Sequence, residues 1–152
     1  MAKSKKISDL DETDLLLCTC ANLRQASRVV TQIFDAALQT TGLRGTQFTM
    51  LAALSKTGPI AITQLAEALV VDRTTLTRNL KPLLNKKLLS IENQEDHRVK
   101  LVSLTAQGKQ LFKDALPHWQ KAQNQMVKGL GKDQWARLIT ILGTTIASTR
   151  TA

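Results

Sequence analysis

One stretch of this sequence carries side chains suited to reading another polymer rather than to covalent chemistry. Residues 73–81 read RTTLTRNLK. Arg73, Thr74, Thr75, Thr77, Arg78 and Lys81 are cations or short hydroxyls, while Leu76 and Leu80 recur at helical spacing. A helix of that pattern seats on its leucines and turns the rest outward. A guanidinium can fork onto guanine O6 and N7, and a threonine can hydrogen-bond a base edge or touch a thymine methyl. Any amphipathic helix has a solvated face, but threonine is a weak helix former, and Glu or Lys would serve an idle face better. A second stretch is Glu95-Asp96-His97-Arg98. A narrow, electronegative minor groove attracts a cation on a loop tip, and Arg98 supplies one. Asp96 would be repelled by phosphate, so it is read as holding Arg98 or the loop in shape. His97 sits where a phosphate contact is expected rather than catalysis.

Catalytic patterns are absent. The chain has two histidines and two cysteines, with no HExxH, no GxSxG, no P-loop and no clustered carboxylates. Neither an enzyme nor a resident metal or cofactor is expected. Cys18 and Cys20 are too few and too close for a disulfide framework. On one helix they would point roughly 200° apart. Cys20 falls on the apolar stripe and reads as a small buried hydrophobe, while Cys18 falls on the other face. His118 follows Pro117 and reads as structural or surface. Trp119 and Trp135 read as core or subunit interface.

The elements that must position residues 73–81 follow from periodicity. Residues 1–9 are polar and basic and read as a flexible arm. From Asp11 to Gln39 runs one long helix with the stripe Leu16, Cys20, Leu23, Ser27, Val30, Phe34 and Leu38, stopped by Gly42. Its length suits packing against a second subunit. Thr46–Ser55 is a shorter helix, broken by Gly58-Pro59. Ile60-Ala61-Ile62 is a short extended piece. Thr63 is the expected N-cap of the next helix, and Val70-Val71 a tight connection. Asp72 should cap the helix carrying the candidate residues, with a bend at Pro82. Leu89–Ile91 and Lys100–Leu104 alternate as strands around a polar loop, residues 92–99. Thr105 caps a helix to about Leu130 that Pro117 should kink or split and that Gly129 and Gly131 end. A last helix runs from Lys132 to about Ser148 with the stripe Trp135, Leu138, Ile141, Leu142 and Ile146. The fold class is mainly α, with one small β-hairpin.

The order helix, tight turn, helix, hairpin is that of a winged helix-turn-helix. A B-DNA major groove admits one α-helix. The first helix braces the second, which places its N-terminal residues at base edges, and the hairpin reaches sideways. Composition agrees. Lys+Arg number 21 against 12 Asp+Glu, a formal charge of +9 on 152 residues, which suits a polyanionic partner. No run approaches the roughly 20 apolar residues of a membrane span, and the first residues resemble neither a secretory nor a transit peptide, so a cytoplasmic location is expected. A membrane-surface role is disfavoured for want of a helix with a strongly basic face opposite a bulky apolar one. Tyrosine is absent and aromatics are 3%, which disfavours a stacking platform for single strands.

Residues 62–108 resemble the MarR family of bacterial regulators. Asp96-x-Arg98 followed by Leu104-Thr105-x-x-Gly108 is similar to the family's DxR…LTxxG signature, and Leu65-Ala66-Glu67-x-Leu69 to the helix before its recognition helix. The long N-terminal helix and the kinked C-terminal pair extend the likeness to nearly the whole chain. Lys87-Leu88 departs from a frequent Gly-Leu and would leave a lysine in a mildly strained left-handed cap. The length suits a single domain, 1–152, and the resemblance divides it further. Dimerisation helices would occupy 10–42 and 106–150, and a DNA-binding lobe 44–105. It implies a homodimer on a pseudo-palindrome of double-stranded DNA, with Arg98 in the minor groove and 73–78 and Lys81 facing the major groove. It also implies small lipophilic or phenolic effectors, held between the dimer helices and the DNA-binding lobe. A repressor released by such a ligand or by an oxidant is the leading reading. The alternatives are an architectural DNA-binding protein without an effector, and a thiol-based peroxide sensor through Cys18. The latter resembles the family's peroxide-sensing branch, although the tyrosines of that branch are missing here.

Overall fold

The computed structural model describes residues 17–93 and 99–149. The chain forms two compact units, residues 1–33 and 34–152. Helix α1 (Thr19–Leu38) supplies the described part of the first unit and the opening residues of the second. Within the first unit the helix carries Leu23 and Val29 exposed. Cys20, expected as a buried hydrophobe, is exposed as well. Helical spacing identifies a stripe but not what covers it.

The second unit continues with a 3-10 turn at Gln39–Thr41 and then α2 (Gly45–Thr57), β1 (Ile60–Ala61), α3 (Ile62–Ala68) and α4 (Arg73–Asn85). Strands β2 (Leu89–Asn93) and β3 (Lys100–Leu104) precede helices α5 (Ala106–Leu130) and α6 (Lys132–Thr149). Gly42 ends the first helical run in a left-handed conformation, φ 69°, where a side chain would be strained. Asp35, near the end of α1, accepts the Gly45 N–H at 2.6 Å and so ties that end to the first turn of α2.

The sheet is antiparallel with strand order β1-β3-β2. In the hairpin, Leu89 faces Leu104, Ile91 faces Val102 and Asn93 faces Lys100. Glu92 and Asn93 therefore belong to a strand, not to the polar loop expected there. Residues Ile60 and Ala61 pair with Val102 and Leu101, so the short extended piece is a third strand. That pairing makes Ala61 the residue before α3, and it offers no side-chain cap. Thr63, the expected cap, already lies inside the helix.

The core of this unit is built mainly of leucine. Leu51 and Leu54 of α2, Leu65 of α3, and Leu76, Leu80 and Leu83 of α4 meet Leu88, Leu89, Val102 and Leu104. Phe48 stacks on Trp119 with ring centroids 5.8 Å apart, and lies 5.3 Å from Phe112. These rings join α2 to α5. Helix α4 continues through Pro82 to Asn85. Helix α5 continues through Pro117 and Gly129 to Leu130, so it is not split, and Gly131 at φ 82° ends it.

Candidate nucleic-acid interface

Helix α4 starts where its sequence says it should. The N–H of Thr75 donates to Asp72 Oδ1 at 2.8 Å, and the Thr75 hydroxyl donates to Oδ2 at 2.6 Å. Both carboxylate oxygens are engaged, which satisfies one of the orphan donors of the first turn. The Thr75 hydroxyl bond, then its N–H bond, hold the Asp72 carboxyl below its ordinary pKa of 3.8. The carboxylate also places negative charge at the positive end of the helix dipole.

At about 100° per residue, Arg73, Thr74, Thr77, Arg78 and Lys81 fall within an arc of about 140°. All five are exposed. Leu76, Leu80 and Leu83 lie on the opposite side and are buried. Thr75 falls outside the arc, is half-buried, and has its hydroxyl proton committed to Asp72. The Thr77 hydroxyl donates to the Arg73 carbonyl at 2.8 Å, which commits its proton and leaves its oxygen free to accept. The helix thus presents three cations and two threonines on a rigid, leucine-backed face. Asn85 falls on the same arc and is exposed; sequence reasoning stopped at Lys81 and passed over it.

The far end of α4 is held by contacts that sequence reasoning did not foresee. Lys87 adopts a left-handed φ of 55°, in line with the strain expected there. The Thr105 N–H donates to the Leu88 carbonyl at 3.1 Å, and its hydroxyl donates to the Lys87 carbonyl at 2.8 Å. That same hydroxyl oxygen accepts the Gly108 N–H at 3.0 Å, capping α5. Gly108 is buried against this turn. A Cβ there would overlap the Leu88 carbonyl oxygen and lie 3.0 Å from its carbon. The residues Leu104-Thr105-x-x-Gly108 therefore form a clamp. It fastens the end of α4, the last residue of β3 and the start of α5 at one point. Lys86 adds a tether, donating from Nζ to the Gly42 carbonyl at 3.1 Å.

The turn before α4 is also strained, because Val70 has φ 54°. A β-branched residue is rare in that region, and only a short connection was legible there beforehand. Asp96, His97 and Arg98 lie outside the described residues. The strands leading to them are placed, with Asn93 opposite Lys100.

Cys18 immediately precedes α1, and its carbonyl accepts the Asn22 N–H at 3.0 Å and Nδ2 at 2.9 Å. The two thiols are therefore not both helical, and the expected 200° separation does not apply. Both are exposed and free. Among the described residues no group of His, Cys, Asp and Glu could hold a metal ion, and no helix is long and apolar enough to cross a membrane.

Comparison with known proteins places this geometry among regulators. The MarR family's sequence model matches residues 41–98. The M. tuberculosis transcriptional regulator MosR, solved in complex with DNA, is 34% identical and superposes with a TM-score of 0.77 over 88% of this chain and 98% of MosR. YwaE of Bacillus subtilis (strain 168), an uncharacterized HTH-type transcriptional regulator, is 28% identical over 121 residues, 78% of this chain and 70% of YwaE. A variant of MarR from E. coli complexed with operator DNA is 22% identical and superposes at a TM-score of 0.79 over 90% of this chain and 99% of that one, a likeness of fold alone.

Proposed function

Since the chain belongs to the MarR family of winged helix-turn-helix transcriptional regulators, we propose that it works as a homodimer that reads a pseudo-palindromic operator and represses until a signal releases it. The observation that carries this reading is the exposed arc of Arg73, Thr74, Thr77, Arg78 and Lys81, backed by buried leucines. Thr75 positions the helix through Asp72. In this reading His97 and Arg98 would contact DNA, the guanidinium in the minor groove, and Asp96 would hold Arg98 in shape. MosR, the relative at 34% identity, was solved on DNA, and the positive charge of this chain suits the same partner.

Dimerisation is supported by α6. Leu138, Ile139, Ile141 and Ile146 are exposed in the single chain. With Trp135 and Leu142 they share one side of the helix, about 160° wide. A contiguous apolar face of that kind marks an interaction surface. Two-fold pairing would set two recognition helices on successive major grooves, about one helical turn apart.

A second reading, oxidant sensing through Cys18, is favoured by one observation: Cys18 and Cys20 are both exposed and unpaired. A thiolate attacking peroxide takes one oxygen as the O–O bond breaks, giving a sulfenic acid with loss of hydroxide.

The test is selection of bound fragments from random genomic DNA at near-physiological salt, with and without peroxide, alongside light scattering for the oligomeric state. Recovery of one palindromic site by a dimer supports the proposal. Uniform, salt-sensitive binding to every fragment would replace it with an architectural role, and peroxide-dependent release lost in Cys18→Ser would assign the signal to that thiol.

A further inference from the structure

The end of α3 carries a residue type that its backbone does not favour. The Val71 N–H donates to the Ala66 carbonyl at 3.0 Å, and the Val70 N–H to the Glu67 carbonyl at 3.1 Å. Such a pair of bonds is a Schellman turn, whose left-handed position is ordinarily glycine. Here that position is Val70, at φ 54°. A branched Cβ is strained there, and burial within the chain does not offset the strain, because the side chain is 51% exposed. Strain kept at an exposed position points to a use outside the chain.

Val70 also lines an open groove of about 420 Å³, with Thr63, Ala66, Glu67, Val71 and Arg73. Ala66 is buried and Val71 half-buried, so the groove beside Val70 is apolar. Arg73 belongs both to this groove and to the exposed arc of α4. A duplex seated on the arc therefore reaches the mouth of the groove.

We propose that Val70 packs against a deoxyribose of the DNA strand that borders the major groove. Val70 precedes the first turn of α4, so it lies beyond the end of the arc that meets base edges. A sugar offers C–H surface that valine methyls can shield from water. A phosphate is the poorer occupant, because Glu67 lines the same groove and its carboxylate would repel one. Valine in this turn thus gives up some folding stability and gains a contact that glycine could not make. The contact adds affinity without reading sequence. The inference rests on the proposed seating of the arc in the major groove, but not on a palindrome, a dimer or a releasing signal.

The experiment titrates the full chain against the selected operator and a scrambled duplex over a range of salt, with the Tm of each protein recorded. Val70→Gly and Val70→Asn should weaken binding to both duplexes by about fivefold per bound chain. The salt slope should not change, since no phosphate contact is lost. Neither variant should melt below wild type, since both residues tolerate the left-handed turn. Val70→Ile, apolar and equally strained, should bind as wild type does. Unchanged affinity would mean that Val70 faces away from DNA. A loss confined to the operator would mean base reading, and a slope reduced by about one would mean phosphate contact. Affinity and Tm falling together would make Val70 part of the scaffold. Each of these four results would overturn the proposal. Equal affinity of wild type for the two duplexes would fall on the regulator reading alone, because the scrambled duplex still measures Val70. Wild type that binds neither duplex would overturn both.

Discussion

The C-terminal end of α4 and its outer arc are built in opposite ways. At its C-terminal end, Thr105 serves two carbonyls and a helix cap at once, and Gly108 has no room for a methyl. Along the outer arc, Arg73, Thr74, Arg78 and Lys81 are exposed. The first region has one arrangement and every group satisfied. The second is a set of donors left for something else to satisfy. Folding free energy resides in the clamp and binding specificity in the arc, so substitutions in the two should separate cleanly in what they change.

The sharpest way to break that contrast is Gly108→Ala. The added Cβ meets backbone, not a flexible side chain, so the turn or the helix must move. Urea unfolding should show a loss of about 3 kcal/mol, with DNA affinity falling as the wing shifts. A loss near zero would mean that the clamp is loose. Next in size is Arg78→Ala, which should leave the unfolding midpoint unchanged and weaken specific DNA binding by about 1–3 kcal/mol. Arg98→Ala should do the same if the wing reads the minor groove. A drop in thermal stability instead would move Arg78 from the reading face to the scaffold.

Smaller effects probe the strained turns on either side of α4. Val70 and Lys87 are left-handed residues other than glycine. Val70→Gly relieves the clash of a branched Cβ but adds chain entropy to the unfolded state, so the net gain should be on the order of 0.5–1 kcal/mol, with less from Lys87→Gly. Differential scanning calorimetry would register either as a higher Tm. The smallest effect concerns Asp72. Its pKa is lowered on folding from 3.8, so the cap stabilises fully above that value and the contribution is lost as pH falls through the lowered one. Asp72→Ala should therefore lower Tm at neutral pH, and the gap between variant and wild type should close in strong acid. A gap independent of pH would show that the carboxylate is not what caps the helix.

Much of this was legible because it is local. Asp72 and Thr105 cap their helices as their types and positions predict, and the leucines of α4 face inward because helical period dictates it. What the sequence hid depends on partners distant along the chain. Ala61 precedes α3 because β1 pairs with Val102 and Leu101, and no local rule would pass over Thr63. The motif glycine at 108 was visible as a letter, but its cause is the carbonyl of Leu88, twenty residues earlier. Pro117 signalled a break, yet one missing N–H in a helix of 25 residues does not divide it. Cys20 misled in the other direction, since an apolar stripe on α1 implied burial that the chain alone does not provide. Asn85 was overlooked because the charged run ends four residues before it, although the helix does not.

The most direct measurement is the affinity of the dimer for its selected operator and for a scrambled duplex, across a range of salt, in wild type and Arg78→Ala. Wild type should prefer the operator by at least about a thousandfold at physiological salt. Arg78→Ala should lose much of that preference while keeping its affinity for the scrambled duplex within about a few-fold. Equal weakening on both duplexes, with a salt slope reduced by about one, would show that α4 grips phosphate without reading bases.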